Sequence, residues 1–505
     1  MKTLLNHTRL PSADTTPEIS FDNTYAMLPE AFYERVAPTK VAAPKLVALN
    51  DALAKRLRID PAFLKSPSGV AILAGNATAF GSEPIALAYA GHQFGSFVPQ
   101  LGDGRAVLLG EVVDAECKRY DLQLKGSGPT RFSRRGDGRA GLGPVIREYI
   151  VSEAMAALGI PTTRSLAAVW TGETVRRERM IPGGVLTRVA SSHLRIGTFQ
   201  YFAARGDAAN LRILADYAIA RHYPEACDAE DRYLAFFDAV SNRLAALTAR
   251  WMHVGFIHGV LNTDNTSISG ETIDYGPCAF MDAYHPAKVF SSIDQFGRYA
   301  FANQPAIIKW NLARLAEALL TLIADGGEQA VEALNASLGR FDGLYNQAYL
   351  AGLRDKLGLA LALECDDALG SDLLTCMAEN GADFTLTFRA LTEATADESC
   401  DADVRSLFTN PAAYDVWAKR WRERLQREII SPEKRGVLMR AANPMFIPRN
   451  HRIEGAIQDA EAGRFDRFYE LLEVLARPYD DQSALAAYTK PPGPNEEVLQ
   501  TFCGT

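Results

Sequence analysis

The apolar positions of this chain change their spacing along its length. From about residue 97 to 190 they fall in short alternating runs broken by glycine clusters, the period-2 texture of strands. In "YDLQLKGSG", Tyr120, Leu122 and Leu124 share one face, and Asp121, Gln123 and Lys125 share the other. One long helical stretch interrupts the strands, "GPVIREYIVSEAMAALGI", with Pro144 suited to its first turn and Gly159 to its C-terminal stop. From about residue 208 the spacing turns helical, as in "DRYLAFFDAVSNRLAALTARWMHVGF" and "IIKWNLARLAEALLTLIA". The stretch 258–282 breaks that pattern and reads as short strands and loops. Helices resume to about residue 477, and a proline-containing tail follows.

These textures predict an α+β, two-lobed layout. Residues 1–85 read as an extension packing on the lobes, with "AAPKLVALNDALAKRLRI" as its clearest helical piece. The strand-rich lobe spans 86–200, the helical lobe 201–430 with the loop 258–282, and 431–505 form a C-terminal helical segment and tail. A cleft between such lobes is a common place for a ligand.

Composition narrows the function classes. At 505 residues, 48% hydrophobic and 23% charged, the chain has the make-up of a soluble globular protein with a large core. A net charge of -8 argues against a general nucleic-acid binder, which needs a basic face. No apolar run approaches the ~18 residues of a membrane-spanning helix, and "MKTLLNHTRLPSAD" lacks a secretory apolar stretch. A cytoplasmic monomer without membrane or nucleic-acid partners is the expectation. Seven scattered cysteines with no C-x-x-C pair give neither a disulfide framework nor a zinc site.

The chemistry-bearing residues begin at "IHGVLNTDN", which has the cadence of the kinase loop H-R-D-x-x-x-x-N. His258 stands first and Asn265 last, but Val260 occupies the place of the base and cannot accept a proton. Upstream, "PQLGDGRAVLLGEV" is either an Asp-Gly hairpin or a glycine loop able to approach phosphates, with Arg105 beside it. The stretch "GDGRAG" (136–141) matches G-x-G-x-x-G, yet ten residues separate Lys125 from Gly136. That gap argues against a tight strand-to-helix turn of the dinucleotide-binding kind. A basic glycine-rich loop near a nucleotide, with Asp137 and Gly138, fits it better.

Lys125 points to solvent or to a cleft. On the following helix, periodicity places Glu153 within the stripe of Ile146, Ile150 and Ala157, and so favours it over Glu148 as the inward acid. Arg188 and Arg195 are surface charges unless they converge on phosphate, which arginine grips bidentately. In "HGVLNTDNTSISGETIDYGPCAFMD", Asn265 and Asp274 flank an apparent hairpin turning at Ser269-Gly270, so that the two could meet at its base. An amide oxygen and a carboxylate are what magnesium accepts beside phosphates. Asp274-Tyr275-Gly276 reads as the equivalent of a kinase D-F-G. The order of glycine loop, strand lysine, helix glutamate, His-to-Asn loop and Asp-aromatic-Gly is kinase-like.

With these residues in place, the sequence resembles the selenoprotein O family of protein adenylyltransferases along nearly its whole length. The likeness runs from "FDNTYAMLPEAFY" through "YAGHQFG", "LGDGRA", "DLQLKGSGPTRFSRRGDGRAGLGPVIREY" and "HGVLNTDN" to "NPMFIPRNHRIEGAI". The resemblance implies a protein-kinase-like bilobal fold that transfers AMP, rather than phosphate, from ATP to Ser, Thr or Tyr hydroxyls of proteins. Pyrophosphate is released, and Mg2+ or Mn2+ is required.

By matching position, the resemblance assigns nucleotide binding to Gly102, Gly104, Arg105, Lys125, Asp137, Gly138, Arg188 and Arg195. It makes Glu148, not Glu153, the partner of Lys125. It gives the metal to Asn265 and Asp274, the latter also at the nucleotide, and the proton-accepting role to Asp264. It also gives the valine a reason. Attack at the α-phosphorus requires a reversed nucleotide with its outer phosphates buried and clamped by cations. The acceptor then arrives from another direction, where a base at position 260 would be misplaced. UMP transfer from UTP, γ-phosphate transfer and a non-catalytic scaffold are the competing readings. Many relatives carry selenocysteine near the C-terminus, where this chain has Cys503. Cys278 and Cys503 either form a disulfide that pins the loop after Asp274 or are two unrelated thiols.

Overall fold

The alternating runs close into an antiparallel sheet. A computed structural model describes residues 18–502. Its strands are β1 (Tyr33–Arg35), β2 (Lys45–Leu49), β3 (Ile85–Leu87), β4 (Gly91–Gln93), β5 (Ser96–Val98), β6 (Ala106–Val113), β7 (Arg119–Lys125), β8 (Ala140–Gly141), β9 (Arg164–Arg176) and β10 (Met180–Ala190). The main sheet runs β1-β3-β6-β7-β10-β9-β2, with β8 attached to β10, while β4 and β5 form a separate ribbon. The two outer strands, β1 and β2, thus come from the segment read as an extension.

One piece of that segment differs from its expected helix. Lys45–Leu49 is a strand paired with β9, and α1 (Asp51–Arg56) starts only where the Asn50 side chain accepts from the Leu53 amide at 3.0 Å. The Asn cap, an unequivocal helix start, outweighs the apolar spacing before it. With α2 (Pro61–Lys65) and α3 (Pro67–Leu73), α1 covers one sheet face, where Leu53, Ile72, Leu122, Leu124 and Val185 pack together. The opposite face receives α4 (Leu142–Ala157), whose Ile146 and Ile150 join Leu108 and Leu186. Gly159, at φ +75°, follows the end of α4 as expected of a C-terminal stop.

Beyond β10 the structure is helical apart from a short antiparallel pair, β11 (Phe256–Ile257) and β12 (Ala279–Phe280), which brackets the loop between them. It contains α5 (Ile196–Ala203), α6 (Ala208–His222), α7 (Arg232–His253) and α8 (Gln304–Leu319), followed by further helices to Leu475. Asp231 caps α7 by accepting from the Tyr233 and Leu234 amides. A sheet-rich N-terminal region and a helical C-terminal region make the fold α+β. Among the described residues, no helix is long and apolar enough to cross a membrane.

The C-terminal helices return to the sheet-rich region. Asn450–Glu461 and Asp466–Leu475 lie on α4, with Phe468 edge-on to Tyr149 at 5.7 Å. Just ahead of them Arg449, 1% exposed, bonds Asp383 at 2.8 Å and also Asp282. The Asn450 amide donates to the Phe280 carbonyl at 3.1 Å. The return therefore clamps the far end of the 258–282 segment. Arg449→Ala leaves two carboxylates in low dielectric without their cation, and unfolding stability should fall by ~3–5 kcal/mol in denaturant titration. A loss below about 1 kcal/mol would show that the clamp is not structural.

Candidate active site

The site is built where β7, β10 and α4 meet. Strand pairing sets Arg188 opposite Gln123 and Leu186 opposite Lys125, which puts the Arg188, Gln123 and Lys125 side chains on the α4 face. Lys125 Nζ bonds Glu148 Oε2 at 2.6 Å. Arg188 donates to the other oxygen, Oε1, through Nε at 2.9 Å and Nη2 at 2.7 Å. Lys125 thus faces a cleft. Glu153 lies elsewhere, bonded to Arg164, Asn50 and the Ser165 amide. The apolar stripe misdirects the choice because α4 is buried on nearly every side, with Arg147, Glu148 and Ser152 covered like its apolar residues.

The segment after Ile257 supplies the other half. His258 donates from Nε2 to the Ile273 carbonyl at 2.9 Å and so ties the start of the loop to its end. The arms do not form the expected hairpin. Ser267 bridges to Arg195 and Thr272 to Thr162, so each arm is held by a different neighbour. Asn265 and Asp274 nevertheless line the same cavity. Asp274 sits at φ +66°, a conformation uncommon for a residue with a side chain. Its Oδ1 accepts from Lys125 at 3.1 Å and Arg188 at 2.7 Å, and its Oδ2 from Arg195 at 2.6 Å.

Three cations therefore face two carboxylates. Burial alone would raise the Asp274 carboxyl, but Arg188, Arg195 and Lys125 hold it well below the usual range. Glu148 is lowered by the same contest between burial and the charges of Arg188 and Lys125. Arg195 also donates to the Asp264 carbonyl at 2.6 Å and lies 4.7 Å over the Tyr89 ring.

Asp264 is 6% exposed, yet its Oδ1 has no protein partner. Its Oδ2 accepts from the Gln93 amide at 3.1 Å. Burial pushes this carboxyl up to about 6, against the pull of Gln93 and Arg195. Gly91 packs directly on it, since a Cβ there would lie 2.5 Å from Asp264 Oδ1. Val260 lines the same cavity as an apolar wall.

The mouth of this cavity of about 570 Å³ is glycine-rich. Residues preceding Gly102 do not pair with β6, so the Asp-Gly turn is not a hairpin; Leu101 and Asp103 bond the carbonyls of Tyr89 and Leu87 instead. Gly102, at φ +82°, lies against the Phe132 ring, where a Cβ would come within 2.3 Å. The loop 127–139 closes on itself through a Ser127–Arg139 bridge and a Gly128-to-Gly138 bond of 3.0 Å. Asp137 stands on its rim, ion-paired with Arg177 at 2.8 Å. Gly104, Arg105 and Gly138 also line the cavity, whereas Glu148 stands behind Lys125.

Sequence reasoning missed several participants. Gln93 and Tyr89 both lie within "YAGHQFG", which carried the resemblance without a role for either residue. Arg177, in a run of charges at a strand end, gave no signal. Cys278 is buried, and burial pushes its thiol up to about 12. Its suggested partner, Cys503, lies outside the described residues, though Thr501 Oγ1 donates to the Pro277 carbonyl at 2.6 Å.

Among the described residues no cluster of three or more His, Cys, Asp or Glu could hold a metal alone. Asn265 and Asp274 fit a different arrangement. The Asn265 Nδ2 is fixed to the Val260 carbonyl at 2.9 Å, which leaves its amide oxygen, with the Asp274 carboxylate, for a hard cation. Phosphate oxygens and waters would complete such a shell.

Comparison with known proteins agrees with this setting. The family model "Protein adenylyltransferase SelO" matches residues 16–476. A "Protein nucleotidyltransferase YdiU" of Nitrobacter hamburgensis is 73% identical over 497 residues, 98% of each chain. That of Nitrobacter winogradskyi is 71% identical over 505 residues and the full length of both. That of Bradyrhizobium diazoefficiens is 61% identical over 491 residues, 97% of this chain and 100% of its own. The matches put the chain among the nucleotidyltransferases. It belongs to the SelO family of protein adenylyltransferases.

The contact at Gly91 gives a direct check on Asp264. Gly91→Ala should displace that carboxylate and lower turnover by about 10²-fold, the scale of a 1 Å misplacement. ATP affinity and melting temperature should stay near those of the parent chain. Unchanged turnover would mean that the Asp264 position does not matter.

Proposed function

We propose that this protein nucleotidyltransferase moves AMP from ATP to Ser, Thr or Tyr hydroxyls of proteins within a protein-kinase-like fold, and that the nucleotide lies with its β- and γ-phosphates on the Lys125–Arg188–Arg195 cluster. The observation that carries this reading is the placement of Asp264, a cavity-lining carboxylate whose buried Oδ1 has no partner, beside a buried cation cluster, with valine at the kinase base position. A polyphosphate is a natural competitor for the cations that now share Asp274. Arginine forks match its oxygens bidentately, and the lysine supplies a point charge.

The roles follow from the chemistry. Lys125, Arg188 and Arg195 hold the outer phosphates, and Glu148 keeps Lys125 and Arg188 aimed. Gly102, Gly104 and Gly138 let backbone approach the nucleotide, with Arg105 and Asp137 at the mouth. Asn265 and Asp274 would hold Mg2+ or Mn2+, which supplies charge neutralisation at the phosphates. Asp264 takes the acceptor proton as the hydroxyl oxygen forms its bond to the α-phosphorus. The bond from that phosphorus to the bridging oxygen breaks, and its electron pair leaves with pyrophosphate. The three cations stabilise the charge that grows there.

The test uses ATP labelled at either the α- or the γ-phosphate, with magnesium and a protein acceptor. The α-label should appear on protein and the γ-label in released pyrophosphate. Asp264→Asn should lower transfer by at least ~10²-fold while ATP still binds, and Asp274→Ala should abolish it. Transfer of the γ-label alone would identify a kinase and overturn the reading.

A further inference from the structure

The cavity continues past Asp264. Gln93, which donates to that carboxylate, is followed by Phe94. Phe94 and Ile293 line both the central cavity and a second hollow of about 430 Å³. Ala306 and Ile307 of α8 form its floor, and Phe296 and Arg298 its far wall. Ile293 is 54% exposed and Phe296 is 98% exposed. A single exposed apolar residue means little, but two on the lip of a hollow that opens into a reaction cavity mark a contact surface.

Neither lip is loose. The Phe94 amide donates to Asn262 Oδ1 and to the Tyr299 hydroxyl, both at 3.1 Å. The segment that presents Phe296 is folded around the buried Asp294, whose carboxylate accepts from the Arg298 amide at 2.9 Å and the Tyr299 amide at 2.8 Å. The fold thus holds an aromatic side chain in water on a pinned turn. Arg298 stacks over Trp310 at 4.8 Å and Tyr299 at 5.7 Å, and it forms no ion pair with a carboxylate among the described residues.

We propose that this hollow is the acceptor subsite. It receives an extended segment of the acceptor protein with a bulky apolar side chain within a few residues of the modified hydroxyl, and Arg298 takes an acidic side chain next to it. Continuity with the cavity at Gln93 and Phe94 argues for an acceptor over other occupants, because a segment seated there delivers its neighbouring hydroxyl to Asp264. The inference rests on the proposed transfer to protein hydroxyls and adds which sequences are chosen.

The test is a peptide array, each peptide holding one Ser, Thr or Tyr with its flanking positions scanned, incubated with α-labelled ATP. The chain should prefer a large apolar residue at one fixed flanking position over alanine. Phe296→Ala should erase that preference and raise the acceptor KM about tenfold, the usual scale for losing an aromatic anchor. Phe296→Leu should restore much of it, and ATP hydrolysis to AMP and pyrophosphate in the absence of acceptor should be unchanged in both. Labelling without positional preference, or equal acceptor kinetics in Phe296→Ala, overturns the subsite while leaving AMP transfer intact. Sedimentation showing a dimer that Phe296→Asp dissociates would overturn it in favour of a second copy as the occupant. Absence of α-label from every peptide and protein acceptor would instead remove the transfer reading on which it rests.

Discussion

Three cations converge on the carboxylate of Asp274, and much of the molecule is arranged to bring them there. Lys125 and Arg188 come from neighbouring strands, Arg195 from the start of α5, and Asp274 from the loop of the helical region. Charges this deeply covered are costly unless each has a partner of opposite sign. Glu148 provides the second anion, so Lys125 and Arg188 are each held from two sides. The sheet-rich and helical regions are joined through this cluster, and their relative position fixes what the cavity can bind.

The same arrangement separates tasks that a single residue could not perform. Asp274 is held ionised by its cations, the state that the metal-binding role proposed for it requires. Asp264, ten residues earlier, lines the same cavity, lacks such an ion pair and keeps one buried oxygen, Oδ1, unpartnered. Two carboxylates in one loop thus have opposite environments, which is how acid–base and electrostatic roles are divided between like groups. The backbone bond from Arg195 to the Asp264 carbonyl couples the two without neutralising the second.

The sequence made the sheet, the long helix α4 and the helical C-terminal region legible, because period-2 and period-3.6 patterns are local. It did not reveal that Lys45–Leu49 is a strand, since its partner, β9, lies more than a hundred residues away. The site residues were named mainly through ordered motifs. Pattern alone chose Glu153 over Glu148, because an apolar stripe marks the buried face only when the opposite face is wet, and α4 has no wet face to speak of. The hairpin expected between Asn265 and Asp274 failed for a similar reason. Alternation shows that a segment is extended but not which strand it pairs with. Gln93 and Phe94 could be recognised only once the fold set them against Asp264.

The central claim is that the cation cluster grips the outer phosphates rather than the nucleoside. Calorimetric competition with magnesium present tests it most directly. Pyrophosphate should displace ATP and bind at least about tenfold more tightly than AMP, as bidentate charge-assisted contacts to two phosphates require, and Arg188→Gln should erase that difference. AMP binding as tightly as ATP, with pyrophosphate unable to compete, would contradict the account.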